Sequence, residues 1–282
     1  VSFGWHFSGA RGISEETRRR RSAMDLGLSG RRAIVCASSR GLGRACALAL
    51  AQEGCEVVVN GRDPAALAAT AEDIARLAGA RVTAVAADVG TAEGRAALLA
   101  ACPAPDILVN NNGGPPPKDF RQISPAEMAA GVEANMLTPI ALIQAVIDGM
   151  VERRFGRIVN ITSASVKMPM TGLDLSSGAR AGLTAFLAGA ARQVAEHNVT
   201  INHILPGGFL TDRLKKGTEA QARIAGVTAD ELMSRRRQSI PARRYGEPEE
   251  FGKLCAFIAS AHAGYITGQN FLIDGGMFNS AF

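Results

Sequence analysis

Short apolar runs without a polar break recur along this chain, and between them apolar residues fall at helical spacing. The runs 33–36, 56–60, 81–86, 106–110, 156–162, 199–205 and 270–273 predict seven strands, most of them buried on both faces. Helices are predicted over 44–53, 64–78, 126–151, 177–197 and 249–260. Strand, helix and strand in succession imply parallel pairing, because parallel strands need crossovers of about a dozen residues or more. The expected fold is α/β: one domain built on a doubly wound, parallel, seven-stranded sheet with helices on both faces. In such a sheet ligands bind outside the carboxyl ends of the strands. The loops after Cys36, Asn60, Ala86, Asn110, Thr162 and Leu205 are therefore expected to line one crevice.

Where the first run ends, Ala37-Ser38-Ser39-Arg40-Gly41-Leu42-Gly43 forms a turn of mostly small residues before helical spacing takes over. Such a turn lets backbone N–H groups approach a phosphate, and the helix behind it aims its positive dipole end at the same point. The implied ligand is a nucleotide diphosphate; the plainer reading is that Gly41 and Gly43 only let helix and strand pack closely. After the second run stand Gly61 and Arg62, where a site selective for NAD carries an acidic residue for the ribose 2′-hydroxyl. Arg62 and Arg40 instead form a candidate clamp for a 2′-phosphate, which makes NADP the favoured cofactor and NAD the second choice. Either arginine taken singly is as readily an ordinary surface residue.

Composition narrows the class. Apolar residues make up 47% of the 282, ample for the core of one large α/β domain. No stretch of about 18 residues is unbroken in apolar character, so no membrane span is expected and the protein is expected to be soluble. Cys36, Cys46, Cys55, Cys102 and Cys255 are odd in number and spaced for neither a disulfide framework nor zinc. They read as reduced core thiols and point to the cytoplasm. The formal charge of +5 shrinks once divided, since residues 1–23 set Arg11 and Arg18 to Arg21 against Glu15 and Glu16 and so carry +3 of it. Nucleic acid is therefore not an expected partner. That first segment, polar and ending just before Met24, reads as a disordered extension or tag ahead of a domain over 24–282. The four histidines show no metal-ligand spacing, so no metal is expected, and His203, inside a predicted strand, reads as a satisfied buried histidine.

Taken together, Ala37-x-x-x-Gly41-x-Gly43, Asp88-Val89, Asn110-Asn111-Asn112-Gly113, Asn135, Ser163, Pro206-Gly207 and Thr211 carry a further signal. In order and spacing they resemble the classical short-chain dehydrogenase/reductases, especially the 3-oxoacyl-carrier-protein-reductase-like branch. The likeness runs from Leu28 to Gly276. It implies a Rossmann-type fold and NADP-dependent reduction of a small-molecule carbonyl, such as a 3-oxoacyl group. It also implies that Ala37, Ser38, Ser39, Arg40, Gly41, Leu42 and Gly43 hold the cofactor phosphates, with Ser38, Arg40 and Leu42 around the pyrophosphate and adenosine ribose. Asp88 and Val89 would meet the adenine, and Asn111 and Gly113 would flank the ribose nearest the nicotinamide. Pro206, Gly207 and Thr211 match the loop at the nicotinamide amide and phosphates. Asn135 matches an Asn that holds a water at a helix kink, which Pro139 permits by lacking an N–H. Ser163 matches the serine that hydrogen-bonds the substrate carbonyl.

The chain departs from that pattern at two places. Ala37 stands for the first glycine of the phosphate turn, behind Cys36 in place of a threonine, and a positive φ at Ala37 costs about 1 kcal/mol. Thirteen residues after Ser163, where the family has Tyr-x-x-x-Lys, the chain reads Ser176-Ser177-Gly178-Ala179-Arg180. Its only tyrosines, Tyr245 and Tyr265, lie far downstream. In the family the Tyr is the general acid and the Lys lowers its pKa while bonding the ribose. A serine is a poor acid at this place, and Arg180 stays protonated, so it can hold the ribose and stabilise negative charge but relays no proton. Losing a positioned acid costs about 10²–10⁴ in rate. The expectation is that Arg180 serves as oxyanion partner while Lys167 or a water on Asn135 delivers the proton. Asn135, Ser163, Ser176 and Arg180 are thus the catalytic candidates, and Arg180 is also a cofactor contact.

Residues 211–244 are helical in pattern and rich in charge, and the resemblance implies a substrate lid there. It further implies a homo-oligomer, dimer or tetramer, formed through the helices at 126–151 and 177–197. There Ala181, Gly182, Ala185, Ala188, Gly189 and Ala191 allow close approach. Two readings follow. One is an NADP-dependent carbonyl reductase with an atypical active site; the other is a weak or inert NADP-binding protein acting as a sensor or assembly scaffold.

Overall fold

The computed structural model describes residues 24–281, and the expected extension at 1–23 lies outside the described residues. The strands are β1 (Arg32–Val35), β2 (Glu56–Gly61), β3 (Val82–Ala86), β4 (Ile107–Asn110), β5 (Gly156–Ile161), β6 (Val199–Pro206) and β7 (Asn270–Ile273). Between the first five run α1 (Gly41–Gln52), α2 (Pro64–Ala78), α3 (Ala92–Ala101), α4 (Pro125–Val132), a π turn (Glu133–Leu137) and α5 (Thr138–Glu152). The second half adds α6 (Asp174–Val194), α7 (Asp212–Ala225), α8 (Ala229–Ser239) and α9 (Pro248–Ile258).

All seven strands are parallel and lie in the order β3-β2-β1-β4-β5-β6-β7. The winding direction reverses between β1 and β4, which opens the crevice at the carboxyl ends of those two strands. One face of the sheet is covered by α1, α2 and α9, through residues such as Leu50, Ile74 and Phe251. The other is covered by α3, α5 and α6, through Leu98, Val146 and Leu187. The seven-stranded expectation holds, with strand ends displaced by a residue or so.

Local chemistry explains which helix ends were readable. Asp63 accepts from Ala65 N and Ala66 N (3.1 and 3.2 Å), Pro64 opens α2 and Gly79, at φ 65°, closes it. Those signals are adjacent in sequence, and the helix matches its predicted span. The helix α3 was not predicted, because Ala92–Ala101 is nearly all small or apolar and shows little periodicity. The single helix expected at 126–151 is instead α4, the π turn and α5, since Pro139 has no N–H to continue the α-helical ladder. Among the described residues, Pro125–Glu152 is long and apolar enough to cross a membrane by length and composition, with a mean hydropathy of 1.4. In the fold its Leu142, Ile143, Val146 and Met150 are buried in the core on the sheet. All five cysteines are free and buried, as expected of core thiols.

Candidate active site

The turn after β1 is built by close approach. Ala37 has φ 44° and Gly41 has φ 59°. A Cβ on Gly43 would stand 2.5 Å from the Ala37 carbonyl and 2.8 Å from Asn111 Nδ2, so only glycine lets α1 begin there. The preceding residue, Arg40, is exposed and extended, and its side chain does not cap α1. The first amides of that helix therefore remain directed at the crevice without a side-chain acceptor. Ser38 is wholly buried: its Oγ donates to Val35 O (2.7 Å) and accepts from Asn60 N (2.9 Å). Asn60 in turn takes Ala37 N (3.2 Å) and donates to Val85 O and Ala87 O (3.0 and 2.9 Å). This asparagine, missed in the sequence, pins the turn to β2 and β3. Ser39 packs on the end of β2, where a Cβ on Gly61 would meet it at 3.2 Å, and Leu42 packs on the core.

Across the crevice, Thr211 caps α7, accepting from Leu214 N at 3.3 Å, and its Cγ2 lies 3.7 Å from the Cβ position of Gly41. Pro206 ends β6, and the backbone of Gly207 runs against Asp274 so closely that a Cβ would meet Asp274 Cβ at 2.6 Å. Asn111 Nδ2 donates to Ala37 O (3.1 Å), which bridges the two strands at the switch point. Gly113 has open space on its Cβ side. Arg62 and Asp88 are paired at 3.9 Å, so a carboxylate remote in sequence does stand beside the second strand's end. Val89 is buried in the core and lines the cavity at the carboxyl ends of β1 and β4.

The other candidates gather where β4, β5 and α6 converge. Ser163, just past β5, is extended, and its Oγ accepts from Ser165 N (3.1 Å) and Ser165 Oγ (2.9 Å), which leaves its own O–H to donate. Arg180 is buried on the inner side of α6. Its Nη1 donates to Ile161 O (2.9 Å), its Nη2 to Asn112 O (3.3 Å) and its Nε to Ser176 Oγ (3.2 Å). Burial, and to a lesser degree the charge of Arg213, pull its pKa down to about 10, so it remains a cation at neutral pH. Asn112, legible in the sequence only as part of the Asn110-Asn111-Asn112-Gly113 motif, joins two parts of the site. Its Nδ2 donates to Ala134 O in the π turn (3.0 Å) while its carbonyl receives Arg180.

Behind Arg180 lies a cavity of ≈ 20 Å³, lined by Cys36, Asn110, Asn135, Thr138 and Leu142 among others. Asn110 Oδ1, Asn135 Oδ1 and Thr138 Oγ1 are buried there without a partner among the described residues. Such a polar space is large enough for one water. Lys167 does not join this group: it is exposed, with its ammonium 5.6 Å from the Phe278 ring. His203 is buried as expected but not fully satisfied, because Nδ1 finds no partner among the described residues. No cluster of metal-ligating side chains occurs among the described residues.

A parallel sheet wound both ways from β1, with a glycine turn at the point of reversal, defines a Rossmann-type α/β protein. The family profile described as enoyl-(acyl carrier protein) reductase matches residues 36–278, and the chain belongs to the short-chain dehydrogenase/reductase family. It is 32% identical to the NADPH-dependent reductase BacG of Bacillus subtilis (strain 168), over 90% of this chain and 100% of that one. Against the 3-oxoacyl-[acyl-carrier-protein] reductase FabG of Aquifex aeolicus (strain VF5) the identity is 31%, over 90% of this chain and 100% of the other. The crystal structure of L-sorbose reductase from Gluconobacter frateurii, complexed with NADPH and L-sorbose, superposes with a TM-score of 0.86 at 28% identity. It covers 91% of this chain and 100% of that one.

Proposed function

We propose that this protein is an NADPH-dependent reductase of a small-molecule carbonyl, such as a 3-oxoacyl group, whose Ser176 and Arg180 occupy the positions of the family's Tyr and Lys. The observation that carries the reading is Arg180, a buried cation tied to Ile161 O, Asn112 O and Ser176 Oγ at the carboxyl ends of β4 and β5. A guanidinium so fixed stabilises charge that develops on a nearby oxygen without reorganising.

The cradle around Ala37, Gly41 and Gly43 suits a pyrophosphate, since Gly43 tolerates no Cβ and α1 begins without a side-chain cap. When bound, the nicotinamide nucleotide supplies the hydride. Arg40 is exposed beside the turn, and with Arg62 it provides the positive charge for a 2′-phosphate, in line with the NADPH dependence named for BacG. Ser163 O–H and Ser176 orient the carbonyl, and Arg180 stabilises negative charge on its oxygen. Neither Arg180 nor the exposed Lys167 is poised to give the proton, so it comes from solvent through a water held by Asn135 Oδ1 and Thr138 Oγ1, which regains a proton from bulk water as it gives one up. Residues 24–282 act as one domain with 211–244 as the lid, the protein is cytoplasmic, and copies associate through the helices at 126–151 (α4, the π turn and α5) and 177–197 (α6). Met128, Leu137 and Phe186 are 53%, 45% and 53% exposed on that surface.

Paired fluorescence titrations with NADPH and NADH, followed by a carbonyl panel, test the reading. NADPH binds at least tenfold more tightly, turnover is detectable, and Arg180→Ala lowers it by about 10²–10⁴. Retention of NADPH with no carbonyl reduced would transfer the case to the inert sensor or scaffold, for which the lack of a side-chain acid at Ser176 speaks. Failure to bind either nucleotide sinks both.

A further inference from the structure

We propose that Arg213, with the spare N–H groups of Arg180, forms a carboxylate clamp beside Ser176, and that the substrate is the anion of an oxo acid. The proposal rests on the reductase reading and names the substrate class for it. The observation is a convergence of donors at Gly114. A Cβ placed there would lie 3.1 Å from Arg213 Nη2, 3.2 Å from Ser176 Oγ and 3.5 Å from Arg180 Nη2. Three polar groups from the first turn of α7 and from α6 thus converge beside the backbone of the loop after β4.

Electrostatics says what belongs near that point. Arg213 contributes to the depressed pKa of Arg180, so the two guanidiniums feel each other's charge. Among the described residues neither forms an ion pair with a carboxylate; Asp174 and Asp212, the acidic residues nearest them in sequence, pair with neither. Among the described residues the Arg213 side chain makes a single hydrogen bond, a long one to Gly114 O at 3.4 Å. Arg180 donates to three partners but carries five N–H groups, so donors remain. Two cations facing one point with no counter-ion repel each other, and a bound anion reverses the sign of the interaction. A planar carboxylate matches the fork of a guanidinium. Because Ser163 and Arg180 meet the same end of β5, an acid whose carbonyl lies within a few bonds of its carboxylate spans the two.

The test compares charge at constant carbonyl. Pyruvate, acetoacetate and levulinate are each set against the methyl ester, with S-acetoacetyl-N-acetylcysteamine as a neutral thioester, on the wild type, Arg213→Met and Arg213→Lys. Three readouts are taken: NADPH affinity by fluorescence, calorimetric binding to the NADPH complex, and turnover. At least one acid is expected to bind and react tenfold or more better than its ester, Arg213→Met to erase that ratio, and Arg213→Lys to restore part of it. Esters or the thioester preferred by the wild type, or no acid bound, overturns the clamp whether or not carbonyls are reduced. So does a ratio unchanged in Arg213→Met, or a loss in that variant confined to NADPH affinity. Acid binding without any turnover keeps the clamp and removes the reductase reading, so the two fail separately.

Discussion

Ala37 carries the strain anticipated for it: a φ of 44° at a residue with a Cβ stores about 1 kcal/mol. The turn tolerates it because Asn60 and Asn111 hydrogen-bond both its N–H and its carbonyl. A buried polar row also stands within the sheet. Asn110 donates to Asn160 (2.9 Å), and Asn160 is in register with His203. Burial lowers the His203 pKa from 6.5 to about 4. The unfolded chain therefore binds this proton below pH 6.5 while the folded one refuses it until pH 4, so stability rises with pH across that window. Acidification from pH 7.5 to 4.5 is expected to remove about 2–3 kcal/mol at this residue. His203→Leu is expected to flatten that limb, as read from urea midpoints at the two pH values; an unchanged slope would assign the acid sensitivity elsewhere.

The element on which the candidate site leans is the break between α4 and α5. A π turn shifts the carbonyl register, and the missing N–H of Pro139 leaves Ala134 O without a helical donor. Asn112 supplies the donor, and its own carbonyl then aligns Arg180. Asn112→Ala is thus expected to cost about 1–2 kcal/mol in stability, and to lower turnover more than NADPH affinity. Thermal unfolding, a nucleotide titration and a rate measurement separate these effects, and equal losses in all three would reduce Asn112 to a packing role. The kink was legible through Pro139. The role of Asn112 was not, because its partners lie 22 and 68 residues away.

At the scale of the whole molecule, the surface of α6 divides in two. Ala191 is buried in its own core and Gly182 packs on Met136, so these small residues serve the fold. Ala185, Phe186, Ala188 and Gly189 are exposed along the same helix. Phe186→Asp is expected to shift the protein toward monomer in light scattering coupled to size exclusion while NADPH binding persists. A wild type that already runs as a monomer would dismiss this surface as an interface.

From residues alone followed the seven parallel strands, the helices between most of them, the glycine turn and the loops that line the crevice. These depend on apolar runs, connection lengths and neighbouring caps, which are local quantities. Only the tertiary structure decided that Asn60 holds the turn, that His203 Nδ1 lacks a partner among the described residues, and that Lys167 stands apart from Arg180. It alone brought Arg213 to Gly114, 99 residues earlier in the chain. Such meetings are set by strand order and register, which carry the loops after β4, β5 and β6 to one rim, and no periodicity along the chain encodes which side chains then face each other.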